Sequence, residues 1–159
     1  MSLITDALKQ AELALAAYAN ITSGITISAL KDAGMTEIQA TKFAAAWTVA
    51  SQYTDAGPSS SATGLSVTVF QEKATGQRYL AIRGTEPNDF LRDIIINDGL
   101  IAIGALPGVL PQYSALKVQV TTWLGNGTLN SGFTVSGHSL GGYLATALTA
   151  DFSANVTQT

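Results

Sequence analysis

One segment near the end of the chain constrains the fold more than any other. Residues 133–136 have the apolar pattern of a short strand, and residues 137–141 are Gly-His-Ser-Leu-Gly, a Gly-x-Ser-x-Gly motif. Small and apolar residues at 142–150 follow at once and predict a helix. A strand, a tight turn and a helix in this order place a serine hydroxyl above the end of a sheet, beside the free N–H groups of a helix N-terminus.

The two glycines of the motif fit such a turn. A strained serine with close neighbours leaves no room for a Cβ at Gly137 or Gly141. The alternative is an ordinary Gly/Ser loop, but the order of strand, motif and helix favours a nucleophile elbow. We therefore predict that Ser139 is a nucleophile and that the Leu140 N–H is a donor to an oxyanion.

The partners that such a serine needs are not evident. The single histidine, His138, adjoins Ser139, and neighbours on a sharp turn project in different directions. We expect His138 to pack beneath the elbow with a hydrogen bond to the backbone. In hydrolases with this elbow the acid and the histidine follow the serine, but residues 143–159 contain one acid, Asp151, and no histidine. We expect the chain to be the N-terminal part of a longer protein.

Composition and charge exclude several classes of function. The 159 residues are 47% hydrophobic and 12% charged, which predicts one globular unit with a substantial core. The net charge of −3, without a basic patch, argues against binding to nucleic acid. Cysteine is absent, and no carboxylates or histidines have the spacing of metal ligands. We predict no metal and no cofactor, and any calcium would bind in the missing C-terminal part.

The apolar regions do not predict insertion into a membrane. Asp6 and Lys9 interrupt the apolar pattern at the N-terminus, which differs from that of a secretory signal. Residues 94–110 are too short and too interrupted to span a bilayer. We expect no transmembrane segment, and either a cytoplasmic location or secretion by a route without a cleaved N-terminal signal.

The first 55 residues predict a helical segment. Helical spacing of apolar residues predicts helices over 3–19 and 27–33, the second closed by Gly34. Thr36 and Gln39 form a capping box for a third helix that extends to Tyr53. Loop-forming residues then separate this segment, 1–55, from a second unit, 64–159.

The sequence pattern of the second unit predicts two strands followed by strands that alternate with helices. Residues 64–71 and 77–82 predict a hairpin, 94–103 a further strand, and Pro111 begins a helix. Such an order favours an α/β fold in which helices flank a mostly parallel sheet.

A second polar cluster lies upstream of the elbow. Arg83, Gly84 and Thr85 directly follow an apolar strand, where an acyl-transfer enzyme of this kind has its other oxyanion donor. We predict that the Thr85 N–H is this donor, with the Thr85 hydroxyl close by. The alternative is a plain turn held by an ion pair, either Asp89 with Arg92 or Arg83 with Asp93.

Three motifs in order carry a resemblance to a known family. Residues 82–85 are Ile-Arg-Gly-Thr, residues 89–94 are Asp-Phe-Leu-Arg-Asp-Ile, and residues 135–142 are Val-Ser-Gly-His-Ser-Leu-Gly-Gly. Over about residues 64–155 the chain resembles the N-terminal portion of the class 3, fungal-type triacylglycerol lipases. Phe90 stands where that family usually has tryptophan.

The resemblance implies an incomplete α/β-hydrolase fold and assigns several roles. It implies that Ser139 is the nucleophile, that Thr85 and Leu140 form the oxyanion hole, and that Asp89 and Asp93 are structural residues of their loop. The catalytic Asp and His of the family would lie in its C-terminal half, which the resemblance does not cover.

The uncharged residues at 100–110 allow two interpretations. They predict either an apolar flap that opens on lipid or a buried parallel strand followed by an apolar loop. We favour a strand over 94–103, and for 104–110 we leave open whether they border an acyl pocket.

The predicted function is that of a serine carboxylic-ester hydrolase that cleaves acyl esters of lipids, or other acyl esters, through an acyl-enzyme, including substrate at a lipid–water interface. One alternative is a non-catalytic hydrolase remnant, or a half-domain that needs another polypeptide segment. A second is a phospholipase or polyesterase of the same fold. Acyl-chain specificity and oligomeric state are not evident from the sequence.

Overall fold

The computed structural model describes residues 3–55, 63–84 and 111–159. The predictions for Thr85, for residues 89–94, for a strand over 94–103 and for a flap at 104–110 lie outside these residues. The described helices and strands are α1 (Leu3–Ala16), α2 (Ile27–Asp32), α3 (Glu37–Ala46), β1 (Trp47–Thr54), β2 (Ser66–Glu72), β3 (Arg78–Ile82), α4 (Pro111–Gly125), β4 (Phe133–Gly137), α5 (Leu140–Asp151) and β5 (Val156–Gln158).

Helices begin at all three predicted N-terminal positions, although the first ends at Ala16 and not at residue 19, and the predicted caps at Gly34 and Thr36 are confirmed. Gly34 follows α2 with a φ of 106°, the left-handed conformation that glycine adopts at low cost. The Thr36 hydroxyl accepts the Gln39 N–H at 3.3 Å, and the Gln39 side chain accepts the Thr36 N–H at 2.9 Å. This capping box fixes where α3 begins.

The predicted extension of the third helix to Tyr53 is wrong. α3 ends at Ala46, and Trp47 has the extended angles φ −121° and ψ 152°. Residues 47–54 form β1, which pairs antiparallel with β2 from Trp47 opposite Glu72 to Thr54 opposite Ser66. Aromatic and β-branched residues suit a strand, and the hydrogen bonds to β2 outweigh the partial helical spacing on which the prediction relied.

The described strands form one sheet in the order β1-β2-β3-β4-β5. β1 with β2 and β2 with β3 are antiparallel pairs, whereas β3 with β4 and β4 with β5 are parallel. The prediction of an α/β fold with a parallel portion is confirmed, but these pairs divide evenly and are not mostly parallel. The short strand β5 was not predicted.

The sheet has two different faces. We call the face covered by α4 and α5 the elbow face, and the face covered by α1, α2 and α3 the N-terminal face. Side chains alternate between them along each strand. The elbow face buries Leu80, Ile82, Phe133 and Val135, whereas the N-terminal face buries Phe70 and Ala81. The end of β4, where the Gly-x-Ser-x-Gly motif begins, is held between these two layers.

Candidate active site

Ser139 occupies the turn between β4 and α5. Its φ of 56° and ψ of −126° make it the one residue other than glycine with a positive φ in the ranges that the structure describes. Such backbone strain costs about 1–3 kcal/mol and persists only where the surroundings enforce it. Ser139 is exposed, and although it is the N-cap of α5 its side chain makes no capping hydrogen bond. The hydroxyl is therefore presented at the surface of the turn.

Close backbone packing enforces this turn. A Cβ on Gly137 would lie 2.3 Å from the carbonyl group of Gly141, and a Cβ on Gly141 would lie 2.2 Å from the Ile82 carbonyl oxygen. The prediction that both positions exclude a side chain is thereby confirmed. The elbow is wedged against the end of β3, which runs parallel to β4 as its neighbour.

The upstream motif reaches the elbow through Gly84. A Cβ on Gly84 would lie 2.5 Å from the His138 carbonyl oxygen and 3.3 Å from Ser139 Cβ. Gly84 is thus in close contact with the turn that carries the predicted nucleophile. Thr85, the predicted second donor, is the next residue in the chain and lies outside the described residues.

Leu140 anchors the helix that follows the serine. Its side chain is buried in the core of the elbow face. As the first residue of α5, Leu140 has a backbone N–H without an acceptor inside the helix. The helix dipole adds partial positive charge at the same end, so this terminus favours an anion next to Ser139.

The prediction that His138 packs beneath the elbow with a hydrogen bond to the backbone is wrong. His138 is exposed, and its Nδ1 lies 3.3 Å from the Tyr18 hydroxyl. The two rings meet edge-on, with centroids 6.4 Å apart. β4 ends at Gly137, so the alternation of the strand no longer directs residue 138 into the core.

Tyr18 is a site residue that the sequence did not reveal. It follows the end of α1, half-buried, at a position that helical spacing assigns to the apolar face. Its closeness to His138 and Gly84, both far away in the chain, brings it to the elbow. No local signal distinguishes it from a core tyrosine.

A cleft adjoins the elbow on the side of α1. Its volume is about 1120 Å³, and it lies between α1, the end of β4 and the start of α5. The Ser136 side chain lines it, and among the described residues its buried Oγ has no hydrogen-bond partner. Other lining residues are Ala11, Ala14, Leu15, Tyr18 and His138.

Asp151, the one acid after the elbow, lies at the opposite end of α5 from Ser139. A helix of this length separates the two residues by roughly 18 Å. Asp151 accepts hydrogen bonds from Lys117 at 2.9 Å and from the Tyr113 hydroxyl at 2.8 Å, and these hold its pKa below the ordinary value. Burial, together with the bond to Asp151, raises the pKa of Tyr113. Asp151 joins α5 to α4 and takes no part in the site.

Neither a metal cluster nor a membrane-spanning helix is present among the described residues. No group of three or more His, Cys, Asp or Glu residues within 3–55, 63–84 and 111–159 is placed to hold a metal ion. No helix in these ranges has the length and apolar character needed to cross a membrane.

Comparison with known proteins gives no relative. No protein-family model, no curated protein sequence and no solved structure matches the chain.

Proposed function

We propose that the chain carries the nucleophile and part of the oxyanion hole of a serine carboxylic-ester hydrolase of the lipase-like α/β-hydrolase type. The observation that carries the proposal is the strained, exposed Ser139 at a strand–turn–helix junction, wedged against the end of the neighbouring parallel strand. Ordinary Gly/Ser loops do not need a serine at positive φ.

The proposed reaction begins with attack of Ser139 Oγ on the acyl carbonyl carbon. A bond forms between Oγ and this carbon, and the carbonyl oxygen takes the negative charge. The Leu140 N–H, with that of Thr85, would stabilise this oxyanion. The alcohol leaves as an acyl-enzyme forms, and water then releases the acid.

The general base of this reaction would come from another polypeptide segment. The hydrogen bond that the structure gives the His138 ring is to Tyr18, and Asp151 is far from the serine. An imidazole on that segment would take the Ser139 proton and return it to the leaving alcohol. The same observation favours a second candidate, a non-catalytic hydrolase half-domain.

We propose acyl esters of lipids as the substrate class, including substrate at a lipid–water interface. Ile4 and Leu8 are 82% and 60% exposed on α1, the helix that contributes Ala11 and Ala14 to the lining of the cleft. Exposed apolar side chains on one helix face favour contact with an apolar substrate or surface. A phospholipase or a polyesterase of the same fold would use the same serine.

Reaction with a fluorophosphonate tests the proposal. We expect the probe to label Ser139, identified in the digested protein by mass spectrometry, and Ser139→Ala to abolish labelling. With imidazole added as the base, we expect hydrolysis of p-nitrophenyl butyrate at least about tenfold faster than with Ser139→Ala, since an oxyanion hole retains activity without a complete triad. If the folded chain is not labelled and hydrolyses the ester no faster than Ser139→Ala, the ester-hydrolase proposal fails and the chain is the non-catalytic half-domain.

A further inference from the structure

The Tyr18 hydroxyl lies close to Gly84, His138 and Ser139. The position of a Cβ on Gly84 is 2.7 Å from the Tyr18 hydroxyl oxygen and 3.3 Å from Ser139 Cβ. The phenol oxygen is therefore at most about 6 Å from Ser139 Cβ, about two hydrogen-bond lengths. This distance is short enough for an oxygen of an acyl group bonded to Ser139 to come within hydrogen-bond reach of the phenol.

The hydroxyl is free to change its acceptor. Its separation of 3.3 Å from His138 Nδ1 is long for an O–H···N hydrogen bond. A negatively charged oxygen is a strong acceptor for a hydroxyl donor. Tyr18 also lines the cleft beside the elbow.

We propose that Tyr18 is a third oxyanion donor, an inference that rests on the proposed ester hydrolysis. The Tyr18 O–H donates a hydrogen bond to the carbonyl oxygen of the substrate, and this bond strengthens as Ser139 attacks and the oxygen becomes negative. The tyrosine keeps its proton throughout. Tyrosine hydroxyls serve as such donors because they are held ready before the charge develops.

Tyr18→Phe is the direct test, because it removes the hydroxyl and keeps the ring. In the imidazole-supported assay we expect Tyr18→Phe to lower kcat by about 10- to 100-fold with little change in KM, since the bond gains most of its strength in the transition state. Tyr53→Phe is the matched control. Tyr53 is a half-buried tyrosine that packs on the elbow-face core. We expect Tyr53→Phe, which also removes a hydroxyl, to leave kcat unchanged.

A double-mutant cycle separates a donor from a residue that only positions His138. We expect Tyr18→Phe to lower kcat by the same factor in the His138→Ala background as in the native chain. If the factor disappears in that background, Tyr18 acts through His138, and the donor role is overturned. Thermal melts of each variant exclude loss of the fold.

The remaining outcomes distinguish the two proposals. If Ser139→Ala abolishes the activity but Tyr18→Phe matches the native chain, the ester-hydrolase proposal stands and the role of Tyr18 is overturned. If Ser139→Ala matches the native chain, the ester-hydrolase proposal fails and the donor role fails with it.

Discussion

The two faces of the sheet support the elbow in different ways. On the elbow face the strands contribute only apolar side chains to the core, and α4 and α5 pack directly upon them. On the N-terminal face the core contains an aromatic cluster, in which the ring centroids of Trp47 and Tyr79 are 5.0 Å apart. That face also holds the Lys9–Glu72 ion pair at 2.8 Å and borders the cleft.

The comparison shows that the strained serine and the side chains around it have separate structural origins. The conformation of Ser139 is enforced by backbone contacts among β3, β4 and α5. The side chain beside it, Tyr18, comes from the opposite layer. The elbow face therefore determines the conformation of the serine, whereas the N-terminal face contributes Tyr18 and other α1 residues that line the cleft beside it.

The largest effect is expected at Gly141. A Cβ there would lie 2.2 Å from the Ile82 carbonyl oxygen, so β3 and α5 would have to separate. We expect Gly141→Ala to lower the free energy of unfolding by more than about 3 kcal/mol, or to prevent folding, as measured by urea denaturation.

Two other glycines provide matched controls for Gly141. A Cβ on Gly142 would lie 3.3 Å from the Gly137 carbonyl oxygen, and a Cβ on Gly125 would contact nothing within 4 Å. We expect Gly142→Ala to cost less than Gly141→Ala, and Gly125→Ala to be neutral or to stabilise by up to about 1 kcal/mol. Equal losses for all three would refute the packing argument.

The second largest effect is expected at Phe70, and it shows whether the two faces unfold together. Phe70 is fully buried and packs edge-on against Phe43 and Trp47, so we expect Phe70→Ala to lower the free energy of unfolding by about 3–5 kcal/mol. Trp47 lies on the N-terminal face and Trp123 on the elbow face, and the chain has no other tryptophan.

Single-tryptophan chains report each face separately. With Trp47→Phe or Trp123→Phe as the background, we expect Phe70→Ala to shift the midpoints of both fluorescence transitions equally, because the faces share one sheet. A shift confined to Trp47 would mean that the N-terminal layer separates on its own.

The smallest effect concerns the Lys9–Glu72 ion pair and its dependence on pH. Burial acts to raise the Glu72 pKa, but hydrogen bonds from Lys9 and Thr75 outweigh it and lower the pKa below its ordinary 4.5. A lowered folded-state pKa stabilises the fold at neutral pH, and this contribution is lost as the pH falls below about 4.5.

Glu72→Gln measures this contribution. We expect it to lower the free energy of unfolding by about 1 kcal/mol at pH 7, and the difference from the native chain to shrink towards pH 3. We expect Asp151→Asn, on the elbow face, also to lower the free energy of unfolding, but by less than Glu72→Gln, because Asp151 is exposed. A loss for Glu72→Gln that is equal at pH 3 and pH 7 would contradict the assignment.

Much of the fold could be predicted because its signals are local. Thr36 and Gln39 are close in sequence and fix the start of α3, and Gly34 ends α2 by its own conformational preference. The end of α3 could not be predicted in this way. Residues 47–53 fit a helix in part, and pairing with β2 made them a strand.

The candidate site also has features that the local sequence determined and features that depend on tertiary contacts. By itself the sequence determined the elbow, because Gly137, Ser139 and Gly141 stand together in one short motif between a strand and a helix. The close contact that excludes a side chain at Gly141 is with the Ile82 carbonyl oxygen of β3, so that contact depends on the tertiary structure. Only the tertiary structure decided that His138 faces Tyr18, that Gly84 contacts the turn, and that Asp151 bonds Lys117 far from the serine. Such contacts join residues that are distant in the chain, so they depend on how the layers pack.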